Sequence, residues 1–366
     1  MAPTRQIAGC LRGFTSWALR TSALRALALG TISLSVAALP SSAKADSVSD
    51  FYTGKTLSLL IGFPPGGGYD TYVRVLARHY GKFIPGHPAV VPSNMPGAGS
   101  LLAANYLYAK APNDGLTLAM FAASAAMEPL LGNKSALFDA AKFSWIGSMS
   151  QDIAYCGVWQ TPGAAASFDD MLGRDGKETI FGGGATAAIT FQHPMVLKNT
   201  LHANIRVIPG YPGSRELMLA MHRGEVNGVC GLFASSIKSQ FSDEVTGGQL
   251  KLVIQMGNKK SDEFGKIPSV FDYAKTDDDR DVLDVHFRQL LLGRPLAGPP
   301  GIPADRLQAL RQALLATMQD PEFRAEADKV GLDIDPASAQ DVDQLLQHFA
   351  AFPPEIFRKA EEAIGR

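Results

Sequence analysis

Two glycine clusters, each set between an apolar run and an amphipathic stretch, constrain this chain more than any other feature. Leu57–Phe63 is a continuous apolar segment, as expected of a strand buried on both faces. Pro64-Pro65-Gly66-Gly67-Gly68-Tyr69-Asp70 follows, and then Val73, Leu76, Ala77 and Tyr80 recur at helical spacing over Asp70–Phe83. Short strands at Ala89–Val91 and Leu116–Phe121 flank a helix at Ser100–Ala111, which the turn Pro112-Asn113-Asp114-Gly115 closes. This β-α-β-α-β order indicates a parallel sheet wound on both sides.

The pattern recurs downstream. Strands are predicted at Ile153–Trp159, Glu178–Phe181, Ile205–Ile208 and Val226–Cys230, with helices at Ser167–Gly173, Thr186–Leu201 and Ser214–Arg223. Leu250–Gln255 and Val285–Leu292 are further strand candidates. From Pro303 the chain reads as helix: Ala304–Met318, Glu322–Val330, Ala339–Phe349 and Glu355–Ile364. Two doubly wound α/β lobes around a cleft, with a helical C-terminal tail, are therefore expected. A cleft of this kind is a usual place for a small-molecule site.

Glycines between a strand and a helix bring bare backbone close to a ligand, and the helix behind them offers unpaired N–H groups to an anion. Asp70 is equally a cap for its helix. Neither cluster is a nucleotide site. No Lys follows Gly66–Gly68, as a P-loop requires. Gly182, Gly184 and Ala187 satisfy Gly-x-Gly-x-x-Ala, but the next strand runs into Arg206-Val207-Ile208-Pro209-Gly210 with no acid for a ribose. No cofactor is expected.

Catalytic signals are weak. The chain lacks Gly-x-Ser-x-Gly, His-Glu-x-x-His and Cys-x-x-Cys, so it is not expected to be an enzyme. Its seven histidines show no metal-ligand spacing, and several lie on polar helix faces, where solvated surface is the plain explanation. The near-neutral charge of −1 gives no basic field for nucleic acid. Cys156 and Cys230 each sit in an apolar run; an oxidising compartment permits a bridge, but two buried thiols fit the pattern better.

Residues 1–45 read as a signal peptide. Arg5, Arg12, Arg20 and Arg25 precede the apolar stretch Ala26–Leu39, and Ala43-Lys44-Ala45 supplies a cleavage site before Asp46. Export to the periplasm as a soluble protein follows from that reading.

Phe63-Pro64-Pro65-Gly66-Gly67-Gly68-Tyr69-Asp70, Asn94-Met95-Pro96-Gly97-Ala98-Gly99 and Ala111-Pro112-Asn113-Asp114-Gly115 resemble segments of the solute receptors of tripartite tricarboxylate transporters, the Bug family. Gly224-Glu225-Val226-Asn227 and Pro299-Pro300-Gly301-Ile302-Pro303 look like two further signatures. The resemblance implies a bilobed periplasmic binding protein that closes on a small organic carboxylate. It would deliver that solute, as a monomer, to a permease of one large and one small membrane subunit. The implied partition is lobe I over 46–152, lobe II over 153–248, and a return to lobe I with C-terminal helices over 249–366. The ligand-binding residues it implies are Pro65, Gly66, Gly67, Gly68, Tyr69 and Asp70 of the first loop; Ala123 and Ser124; Gly183, Gly184, Ala185 and Thr186 of the second loop; and Gly231 and Leu232 at the far end. Tyr69 stands where Thr is usual. Arg215, at a helix start, is the candidate clamp for a second carboxylate. The rival reading is an exported hydrolase or oxidoreductase acting on a small carboxylate.

Overall fold

The computed structural model describes residues 44–257 and 259–366; the signal-peptide reading lies outside them up to residue 43. Eleven strands form among the described residues: β1 (Thr56–Ile61), β2 (Ala89–Asn94), β3 (Thr117–Met120), β4 (Ser144–Ser148), β5 (Ala154–Trp159), β6 (Thr179–Gly182), β7 (Ile205–Ile208), β8 (Gly228–Phe233), β9 (Leu250–Met256), β10 (Pro295–Gly298) and β11 (Ala337–Ser338). They build two sheets, in the orders β11-β4-β10-β3-β1-β2 and β7-β6-β8-β5-β9.

Each sheet has a parallel core of three strands, β2-β1-β3 in the first and β7-β6-β8 in the second. These are the segments whose apolar runs alternate with helices in sequence. Both cores are extended by antiparallel strands, which the purely parallel expectation omits. The missed strands β4 (SWIGS) and β10 (PLAG) are short and rich in small residues, so neither period nor length marks them. Yet both are wholly buried.

Most of the helices match the predicted spans closely; Ser214–His222, Ala304–Gln319 and Ala339–Ala350 are examples. Val285–Leu292 does not become a strand. It lies across the helix Asp277–Phe287 and a 3₁₀ turn, Arg288–Leu292. A capping box of Thr276 and Asp279 starts that helix, and three aspartates in its first turn complement the dipole. Ser167–Gly173 yields only a 3₁₀ turn over Asp169–Met171. No helix among the described residues is long and apolar enough to cross a membrane.

The chain passes between the sheets twice, through residues 149–153 and 257–294. The boundary expected at 248/249 is too early, because β9 pairs along β5 in the second sheet and the return comes only at β10. The two cysteines are bonded, contrary to the thiol reading: Cys156 on β5 and Cys230 on β8 sit on neighbouring antiparallel strands and form a disulfide. Both are fully buried, so the apolar context was read correctly and the pairing was not. The histidine reading also fails at three positions, since His79 too is buried. His193 and His286 have no exposed surface, on helices packed against one another.

Candidate functional site

A cavity of about 360 Å³ opens between the two sheets. The first sheet contributes the loop after β1 (Phe63–Pro65, Gly67–Tyr69) and the loop after β2 (Pro96–Ser100). The second contributes Gly184, Ala185 and Ala188–Thr190 after β6, Gly210–Glu216 after β7, and Gly231–Phe233 with Ser236 at the end of β8. All of these follow the C-terminal ends of parallel strands, where ligands bind in open α/β sheets.

Four helices of eight or more residues begin at this cavity: Gly68–Tyr80, Leu101–Ala109, Ile189–Thr200 and Ser214–His222. None of the four has a side-chain cap. Away from the cavity, Asp277–Phe287, Pro321–Lys329 and Ala339–Ala350 are capped by Thr, Asp or Ser side chains, whereas Ala304–Gln319 and Pro354–Ala363 start after prolines without a side-chain cap. In the helix Gly68–Tyr80 the first intrahelical bond runs from Thr71 N–H to Gly67 O, and in Ser214–His222 from Leu217 N–H to Gly213 O. The amides before them carry the positive end of each helix dipole to the cavity wall.

The sequence-predicted residues divide. Pro65, Gly67, Gly68, Tyr69, Gly184, Ala185, Gly231 and Leu232 line the cavity together. Gly66, Asp70, Ala123, Ser124, Gly183 and Thr186 do not. Asp70 is committed to structure: its carboxylate accepts the Gly66 amide at 2.9 Å and bonds from Arg74 and Asn94. Burial opposes its ionisation, but those bonds outweigh it and hold its pKa below the usual carboxylate range. Ser124 is buried and donates to Ala187 O at 3.1 Å, tying the two halves beside the cavity. The Gly183 amide donates to Ile208 O, and Thr186 is exposed.

Two segments and two single residues went unassigned. The Gly210–Gly213 segment carries the same strand-glycine-helix signal as the first loop and could have been found by it. Pro96–Ser100 was noticed as a motif but not as a wall; Gly97, Ala98, Gly99 and Ser100 all take positive φ there. Ser236 and Arg294 had no sequence signal at all. Arg215 is also placed here. It lines the cavity from the second half, and its Nη1 lies 3.3 Å from the point a Cβ on Gly66 would occupy. No hydrogen bond or ion pair engages its guanidinium among the described residues. The walls between these polar points are apolar, with Phe63 stacked on Tyr69 at 4.4 Å and Phe233 edge-on to Tyr69 at 6.4 Å.

No family model matches the chain. A curated relative, the "UPF0065 protein in gbd 5'region" of Cupriavidus necator, is 26% identical over 93% of this chain and 94% of its own length. The chain is similar to this protein along nearly its whole length. Among solved structures, the Bug-type fold recurs in the periplasmic binding protein BugD, at 17% identity, TM-score 0.65, covering 84% of this chain and 98% of that one. MatC from Rhodopseudomonas palustris, solved with bound malate, superposes with TM-score 0.62 at 16% identity over 85% of this chain and 99% of its own. At these identities the solved structures establish the Bug-type fold alone.

Proposed function

We propose that this protein is a periplasmic solute receptor. It captures a small organic carboxylate in the cavity between its two halves, which act as lobes, and presents it to a tripartite permease with one large and one small membrane subunit. The observation that carries this reading is the convergence of four uncapped helix N-termini on one apolar-walled cavity. At Gly68–Tyr80, Ile189–Thr200 and Ser214–His222 the first-turn amides await an acceptor with concentrated negative charge, while at Leu101–Ala109 the Leu101 and Leu102 amides already donate to Ala98 O and Gly97 O. Each charge-assisted hydrogen bond contributes about 1.5–3 kcal/mol. Four or five offset desolvation and lobe ordering, and leave the ~8 kcal/mol of a micromolar complex. MatC's bound malate supplies a precedent for a carboxylate in this fold.

Capture without turnover fits the lining. Ser214 and Ser236 are the lining hydroxyls with no hydrogen bond among the described residues, and no histidine accompanies them on the cavity wall. The test is a thermal-shift screen of the purified protein against mono-, di- and tricarboxylates, aromatic acids and their neutral amides. Stabilisation by one acid or a narrow group, and by none of the amides, is expected. A flat response across the acids would contradict the reading.

A further inference from the structure

We propose that Arg294 is a positioning residue, a cation pinned where the two chain crossings meet that fixes the cavity floor and sets how the two halves sit on each other. Asp152 lies in the first crossing, between β4 and β5; Arg294 ends the second, immediately before β10. The crossings are bonded along their backbones: Met149 N–H donates to Arg294 O at 3.1 Å, and Asp152 N–H to Leu290 O at 3.0 Å. Gly293 lets them touch, since a Cβ there would lie 2.9 Å from Asp152 Cβ.

Arg294 and Asp152 side chains are 0% and 2% exposed, with Nη2 and Oδ2 3.6 Å apart. Ser235 Oγ, from the second half, accepts from Nη2 at 3.2 Å and donates to the Asp152 carboxylate at 3.2 Å. The guanidinium packs against three rings, 4.5 Å from Tyr69 and 4.6 Å from Tyr72 of the first half, and 4.2 Å from Phe233 of the second. Tyr69 then reaches the same crossing directly, its hydroxyl donating to Gly293 O at 3.2 Å. Tyr69 and Phe233 are both cavity floor. One fully buried group therefore touches both halves and both crossings. Removing a partner from a buried charge pair is costly, whereas exchanging both for apolar residues is often tolerated. The planar guanidinium that stacks on rings is not replaced by an ammonium.

The test needs no ligand. In a Cys10→Ser background, spin labels at Lys110→Cys and Arg223→Cys report the distance between the halves by electron–electron double resonance. With Arg294 in place a single narrow distribution is expected. The paired exchange Asp152→Asn with Arg294→Met, and separately Arg294→Lys, should each broaden it by at least about two-fold. Circular dichroism confirms that the variant being read is folded. If either folded variant keeps the native distribution, Arg294 does not position the halves and the proposal falls. Because no acid is added, this failure is separate from failure of the carboxylate reading.

Discussion

Gly68 and Ser236 come from opposite halves of the protein, and a Cβ on Gly68 would lie 2.7 Å from Ser236 Oγ and 3.2 Å from Arg294 Nη2. The bare first turn of the helix Gly68–Tyr80 thus meets a hydroxyl across the cavity. Gly68 is not at positive φ, so a side chain there is not strained by the backbone.

Gly68→Val therefore tests this contact directly. It should cut affinity for the stabilising acid at least about tenfold, because ~1.4 kcal/mol from one lost charge-assisted bond suffices. Its melting temperature without ligand should also fall by some degrees, because the new side chain presses on Ser236 and on the buried Arg294, so affinity is read where the variant is folded. Calorimetric titration and a melt on the same preparation read both quantities.

Arg215 is the cavity's unpaired cation, at the start of a helix whose dipole already disfavours positive charge. An anion beside it relieves that conflict. Arg215→Ala should weaken binding of a dicarboxylate by about 10–100-fold, the range of one charge-assisted bond, and a monocarboxylate of similar size much less. Equal losses for both would show that Arg215 does not read a second carboxylate.

His193 and His286 govern acid stability. Burial lowers their pKa values to about 3 and about 4, below the 6.5 of an unfolded histidine. Depressed values mean that both are neutral in the fold, so their contribution is complete above pH 6.5. It is lost as the pH falls from there through the folded values, at about 2 kcal/mol per histidine by pH 5. Asp152 works the other way, since burial raises it to about 6 against the pull of Arg294 and its protonation relieves a buried charge. Two histidines outweigh one aspartate, and urea melts between pH 7 and 5 should show net loss. His193→Phe should flatten that slope.

The Cys156–Cys230 bond closes a separation of 74 residues. In the chain-entropy view it contributes about 4 kcal/mol. The double change to Ala should lower the urea midpoint accordingly, and reductant should leave the native protein's melt unchanged until the fold opens, since both sulfurs are buried.

How much of this was legible beforehand depends on the physics of each element. The parallel strands announce themselves because burial on both faces demands unbroken apolar runs, and the glycine loops because tight strand-to-helix turns demand glycine. The antiparallel additions β4 and β10 do not, since small residues pack there without periodicity. Helix caps were more informative than they first seemed: Thr276 and Asp279 mark a helix that the apolar run Val285–Leu292 disguised. Arg294 was invisible for a different reason. Its partners are Asp152, Tyr69, Tyr72 and Phe233, distant in sequence, and nothing local distinguishes a buried arginine from a solvated one. Tyr69 shows the converse, since its departure from the usual Thr becomes intelligible once its hydroxyl is seen to bond Gly293 O.

The most direct measurement is calorimetric titration of the acid picked out by the thermal-shift screen into native protein and into Gly184→Val, whose side chain would crowd Ala188 and Thr190 at 3.0 Å. One molecule bound per chain at micromolar affinity or better, lost in the variant, is the expected result. Undiminished binding to Gly184→Val, or no saturable binding to native protein, would contradict capture between the two halves.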